Sequence, residues 1–376
     1  METISNVRWQ DALIELGEQF AHRASQYDQT NTFVSENYEQ LKSNQFFSLA
    51  IPEELGGGGA SYAEMCNAIR QMAQSCGATA LAFSMHQHLI AANIWRYKKG
   101  LPAEALLRKV ASEQLILVST GAGDWLSSRG IMEKTEGGYL VTARKHFASQ
   151  APVGNILVTS ARYLDPEKGP QVLHFPVPFS AKGLTIKNDW DTMGMRGTGS
   201  HTIELEKVFV PDAAIALTRP QGEFHPFWNV VLTVAMPLIM SAYVGIAERA
   251  AQIAFEKARK SAANVYLLGE LQNQLTTAQV LWQDMIRLVN EFDFQPVNDQ
   301  GNQILIRKTL VANACIATVN KAMETVGGQG FFRHMQLERL FRDVQGAQFH
   351  PLTEKSQHYF TGNLIRNGVF PADPQE

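Results

Sequence analysis

The residues best suited to chemistry stand near the end of the chain, in FRDVQGAQFHPLTEKSQHYF, where His350 directly precedes Pro351. Imidazole is the side chain whose ordinary pKa lets it exchange a proton near neutral pH. Proline drives the residue before it into extended or turn geometry, so this ring falls where a helix has to stop or start. His350 is therefore either a histidine capping a helix or the seat of an acid–base group. Glu354 follows one helical turn later, as a carboxylate base or as a solvated surface charge. Two further histidines, His86 and His88 in FSMHQHL, stand two apart on a predicted helix. Side chains at that spacing diverge, so at most one of them enters a common site.

Other chemistries are excluded by what surrounds these residues. Cys66, Cys76 and Cys315 are scattered and form no CxxC pair, so neither a disulfide framework nor a metal site is expected. Reduced thiols in a cytoplasmic protein are the plain reading. A net charge of -3 provides no basic footprint for nucleic acid. Four consecutive glycines at 56–59 permit close backbone approach, but the GxxxxGK[ST] pattern of a phosphate loop is missing.

The first residues, METISNVRWQDALIELGEQFAHRA, carry early acidic side chains and no apolar core. They read as an amphipathic helix, not a signal peptide. The run VVLTVAMPLIMSAYVGIA at 230–247 is long enough to raise a membrane span. It contains Pro237, Ser241 and Gly245 and continues unbroken into ERAAQIAFEKARK. A helix at the centre of a bundle, with no membrane span, is the expectation.

Three regions must position these groups. Residues 1–116 carry helical periodicity, as in ALIELGEQFAHRA, where Leu13, Leu16 and Phe20 share a face. Residues 117–218 hold short β-rich runs separated by turn clusters such as DPEKGP, which predicts a small β-barrel or sandwich. Residues 225–376 are helical again, in pieces long enough for a four-helix bundle. The fold class is α+β multidomain, in the order helical, β, helical.

That order, together with four motifs, resembles the acyl-CoA dehydrogenase superfamily of flavoproteins over nearly the whole chain. IPEELGGGGASYAEM resembles the loop between two N-terminal helices, and RKHFASQAPVGNILVTSAR the strand pair that meets the flavin ring. WDTMGMRGTGSHTIELEKVFVPD resembles the closing stretch of the β domain. METVGGQGFFRHMQLERLFRD resembles the C-terminal glycine motif and the Arg-Asp pair after it. The resemblance implies that Ser149 contacts the flavin ring with Phe147 packed beside it. It implies flavin-binding roles for Ser119, Thr120 and Gly121 in LVSTGAGDWLSS. Glu324, Gly327 and Gly328 would lie toward the distal end of the cofactor. FAD is the default cofactor, with FMN or reduced flavin supplied by a reductase as the alternative, because Arg259 is kept but the Phe-Gly that should follow it is missing.

The resemblance fails at the base. Relatives place a glutamate in one of two positions, and the matching residues here are Pro351 and Asn229. Neither can accept a proton, which leaves His350, or Glu354, as the replacement in a dehydrogenase acting on acyl-CoA. The two-component flavin monooxygenases of the same superfamily need no such base. They use reduced flavin and O2 on aromatic or heterocyclic substrates, and Ser149, His350 and one of His86 or His88 match their constellation, with His88 taken as the candidate. A third reading is a flavin-binding protein without catalysis. The resemblance also implies a homo-oligomer, tetramer or dimer.

Overall fold

The computed structural model of the protein describes residues 6–120, 127–259 and 264–371. Five helices come first: α1 (Asn6–Thr30), α2 (Ser35–Ser43), α3 (Tyr62–Ser75), α4 (Gly77–Lys98) and α5 (Glu104–Glu113). The glycine run folds back on the segment before it, and a Cβ at Gly57 would stand 2.1 Å from the Ile51 carbonyl oxygen. Only glycine permits that approach. Ser61 then starts α3 with a capping box, its side chain accepting from Glu64 N while the Glu64 carboxylate accepts from Ser61 N.

Eight strands follow: β1 (Leu117–Ser119), β2 (Ile131–Thr135), β3 (Gly138–Ala148), β4 (Ile156–Asp165), β5 (Gly169–Pro178), β6 (Leu184–Ile186), β7 (His201–Pro211) and β8 (Leu217–Pro220). They form one mixed sheet in the order β6-β7-β3-β2-β4-β5-β8, with β1 parallel to β4. The two halves meet through a single pair, Ile131 with Arg162. They share one apolar core, to which Val141, Leu205 and Val210 contribute from one half and Leu157, Leu173 and Phe175 from the other. Among the described residues the strand path ends at β6 and β8 without pairing them to each other, so the arrangement is sandwich-like.

The chain closes with α6 (Phe227–Ala258), α7 (Val265–Val289), α8 (Asn298–Val326), α9 (Leu337–Val344) and α10 (Glu354–Asn367). Helix α6 is the apolar run seen in the sequence, and 94% of its most apolar window is buried inside the protein. It packs on α3, α4, α7 and α8, which makes it the axis joining the first helices to the last. Its apolarity therefore serves the core of the bundle. The break foreseen at His350-Pro351 is present: a short helical turn ends at Phe349, His350 is extended, and α10 starts at Glu354.

Candidate active site

The C-terminal end of β3 is built to turn a side chain outward. The β3–β7 register slips between Lys145 and Ala148, and Phe147 adopts a φ of +59°. Such a bulge re-aims side chains at a strand end. Phe147 is left 62% exposed, with Trp190 edge-on at 6.1 Å. Trp190 is held in turn by its own indole N–H on the Met195 carbonyl and by its backbone N–H on Nδ1 of His201.

Two residues further on, Ser149 is buried, and its hydroxyl heads a chain. Ser149 Oγ lies 2.8 Å from Ser200 Oγ, which lies 2.8 Å from Thr198 Oγ1, which donates to the Met195 carbonyl at 2.9 Å. A hydroxyl has one proton to give. Thr198 uses its proton on the carbonyl, so Ser200 must donate to Thr198 and Ser149 to Ser200. Ser149 thus presents lone pairs, and only lone pairs, to anything else it touches.

A second polar cluster comes from the last helices. A Cβ at Gly346 would stand 2.7 Å from the Tyr243 hydroxyl, so glycine is required for α6 to approach here. Tyr243 Oη lies 2.6 Å from Nε2 of His350. Lys308 of α8, itself 1% exposed, donates its ammonium to the carbonyls of His350 and Leu352 at 2.8 and 3.0 Å. Burial, and then the Lys308 cation, push the His350 pKa down to about 3, so the ring is neutral at pH 7.

The β-domain loop and the last helices are locked together beside this point. Asp343 accepts from Met195 N at 2.5 Å, and burial raises its carboxyl to about 6. Arg342 forks onto Asp28 of α1 at 2.8 and 2.6 Å and also donates to the Met193 carbonyl. Met195 thereby links the Ser149 hydroxyl chain to the wall that carries Tyr243 and His350.

The remaining candidates have other surroundings. His86 is fully committed, with Nε2 on the Phe47 carbonyl at 2.8 Å and Nδ1 accepting from Leu117 N at 3.0 Å. It braces β1 and offers no free nitrogen. His88 is buried with Nδ1 lacking a hydrogen-bond partner, and burial lowers its pKa to about 4. Glu354 accepts from Asn313 at 3.0 Å, which lowers its pKa. That makes it a weaker base, and none of its bonds reaches Ser149 or His350. Asn229 donates to Pro296 O and Asn298 Oδ1, tying α6 to the start of α8.

Ser119 ends β1 opposite Val158, and Thr120 lies 3.1 Å from Thr159 through their hydroxyls. Gly121 lies outside the described residues. Glu324 pairs with Lys321, and Gly327 and Gly328 are exposed with open space where a side chain would be. No group of three or more His, Cys, Asp or Glu able to hold a metal occurs among the described residues.

Sequence reasoning passed over Tyr243 and Lys308. Each left a signal: a lone phenol in an apolar helix needs a partner, and Lys308 interrupts the buried face formed by Ile304, Leu305, Ala312 and Cys315.

An exposed aromatic and a buried hydroxyl acceptor at the end of β3, together with the Tyr243, His350 and Lys308 cluster of the helical bundle, are groups of the kind that bind the flat, mixed-polarity ring of a flavin. The helical, mixed-sheet, helical order around them defines an acyl-CoA dehydrogenase-type flavoprotein fold. The chain belongs to the acyl-CoA dehydrogenase family, matching its N-terminal domain over residues 10–114, its middle domain over 124–208 and its C-terminal domain over 238–355.

Its relatives carry different activities. The 3-(aryl)acrylate reductase of Clostridium sporogenes is 24% identical over 91% of this chain and 93% of its own. The dibenzothiophene monooxygenase of Mycolicibacterium goodii is 24% identical over 97% and 92%. The FMN-bound structure of TdsC from Paenibacillus sp. A11-2 shares the fold at a TM-score of 0.83, with 19% identity over 96% of this chain and 98% of that one.

Proposed function

We propose that this flavin-dependent oxidoreductase works as a monooxygenase of the two-component type, taking reduced flavin from a separate reductase, and does not dehydrogenate acyl thioesters. One observation carries this reading. At the position where the family keeps its carboxylate stands Pro351, and Nε2 of the imidazole beside it is taken up by the Tyr243 hydroxyl at 2.6 Å, with desolvation and the Lys308 cation holding its pKa low. Removal of an α-proton needs a base whose pKa lies toward the operating pH. This ring is too weak a base for that task.

The hydroxyl chain supports the same reading. A reduced flavin carries an N5–H that the oxidised ring lacks, and Ser149 is arranged to accept. Bound reduced flavin supplies the electrons that activate O2. The chain's own residues do the rest. Phe147 offers the ring a flat apolar face, Ser149 accepts from the reduced form, and His350 presents a neutral polar edge. Lys308 pins the 350–352 segment through its two carbonyl bonds.

FMN is favoured over FAD, because the Phe-Gly that should follow Arg259 toward the pyrophosphate is missing. The substrate is a small aromatic or heterocyclic molecule, the class handled by the dibenzothiophene monooxygenase relative. Exposed Phe331, Phe332, Val265 and Tyr266 fit a subunit contact in a homo-oligomer. Three unbridged cysteines fit the cytoplasm.

The test is an anaerobic titration of the flavin-loaded protein with a panel of acyl-CoA thioesters, followed by absorbance. A second arm supplies NADH, a flavin reductase, O2 and aromatic thioethers or heterocycles, with oxygenated product as the readout. The expected result is no bleaching in the first arm and product in the second. Bleaching by any thioester would overturn the proposal in favour of dehydrogenation. Failure to bind flavin at all would leave only a non-catalytic role.

A further inference from the structure

We propose that Tyr243 is the positioning residue of this site, and that its buried hydroxyl fixes His350 as the tautomer protonated on Nδ1, so that the ring meets the reaction as a hydrogen-bond donor. Monooxygenase chemistry is the setting in which such a donor matters, so the catalytic meaning of the inference rests on the function proposed above. The tautomer itself does not.

The argument is one of counting. Tyr243 is fully buried, and among the described residues its hydroxyl has a single hydrogen-bond partner, Nε2 of His350 at 2.6 Å. Burial raises its pKa well above 10, with the Asp343 and Cys315 side chains acting in the same direction, so the phenol keeps its proton. If Nε2–H donated to the phenol oxygen, the phenolic proton would be left buried with no acceptor, the costly arrangement. If the phenol donates to a bare Nε2, every polar atom of the pair is satisfied. A neutral imidazole with Nε2 bare carries its proton on Nδ1.

Among the described residues Nδ1 has no hydrogen-bond partner, and it is absent from the unpartnered polar atoms sealed away from solvent. Its N–H is therefore available. Two features of the surroundings keep the ring neutral: its half-buried packing, and the Lys308 ammonium, which is held on the His350 backbone carbonyl and does not bond the ring. Gly346 permits the approach of the phenol, since a Cβ there would stand 2.7 Å from Tyr243 Oη. Ser149 as acceptor and His350 as donor then form two opposite polarities: Ser149 has spent its proton on Ser200, whose own goes to Thr198, and Tyr243 has only Nε2 to take its proton.

The test reads the tautomer directly, by magic-angle-spinning 15N spectra of histidine-labelled, full-length protein at pH 7 without flavin. The His350 signals among the 10 histidines are those lost in His350→Gln. The expected pattern is a protonated Nδ1 and a bare Nε2. Tyr243→Phe, which keeps the ring and the packing, should move the tautomer ratio roughly fivefold toward Nε2–H, the effect of one neutral hydrogen bond. Wild-type protein with the proton on Nε2 would overturn the inference. So would a Tyr243→Phe variant with an unchanged ratio and unchanged thermal melting. Thioester bleaching in the earlier titration would remove the monooxygenase reading while leaving this result standing.

Discussion

Replacing Lys308 by methionine should alter how the fold responds to pH more than how stable it is at any one pH. The ammonium is 1% exposed and donates to the carbonyls of His350 and Leu352. Burial lowers its pKa to about 8, with Glu354 pulling part of the way back. In the unfolded chain a lysine keeps its proton up to about pH 10.4. Between about pH 8 and 10.4 the unfolded state therefore binds the extra proton, and stability rises with pH. Slightly more than two pH units at about 1.4 kcal/mol each come to about 3 kcal/mol.

Buried thiols and phenols act in the opposite direction. Burial raises the pKa of Cys66, Cys315, Tyr38 and Tyr62, so the unfolded chain loses those protons first. Lys308→Met leaves them untouched, and the difference between wild type and variant isolates the lysine. Urea unfolding of both proteins, with reductant, at pH 7.5 and 10.5 makes the measurement. Wild type should gain about 3 kcal/mol on the variant across that interval. Stability curves that run parallel would refute the reasoning, because the lysine would then titrate alike in both states.

His350→Ala should cut product formation by about 10²–10³, the usual cost of one positioned donor, while flavin affinity by fluorescence quenching stays near wild type. Wild-type turnover would remove His350 from the mechanism. Ser149→Ala should weaken reduced flavin relative to oxidised flavin by roughly fivefold and shift the bound spectrum. Equal losses for both redox forms would contradict the direction assigned to the hydroxyl chain. Phe147→Ala should weaken flavin binding about tenfold without destabilising the fold, since the ring is 62% exposed before any ligand covers it. A large loss of stability would mean that Phe147 serves the core instead. Asp28→Asn should lower stability by about 2 kcal/mol in urea unfolding, because it weakens the partly buried fork on Arg342. An unchanged urea midpoint would show the fork to be incidental.

The sequence by itself determined the large-scale order and several local events. Helical spacing, the β-rich centre and the long closing helices were legible because they arise from periodicity, which is a local property. The break at His350-Pro351 was legible because proline restricts its neighbour wherever it occurs. The close backbone approach at the glycine run likewise belongs to a short stretch. The missing carboxylate at Pro351 needed only the motif order to be noticed.

Only the tertiary structure decided what those residues do. His86 and His88 are neighbours in the chain, yet one is bonded on both nitrogens and the other has a bare one, because Phe47 and Leu117 reach His86 alone. Tyr243 and His350 meet across 107 residues, and Lys308 closes on the same segment from another helix. The exposure of Phe147 follows from a register slip against β7, and the direction of the Ser149 hydroxyl chain from a loop folded back onto Met195. Periodicity selects which face of an element is buried. Which donor finds which acceptor depends on distances between elements far apart in sequence, and those exist only once the chain has packed.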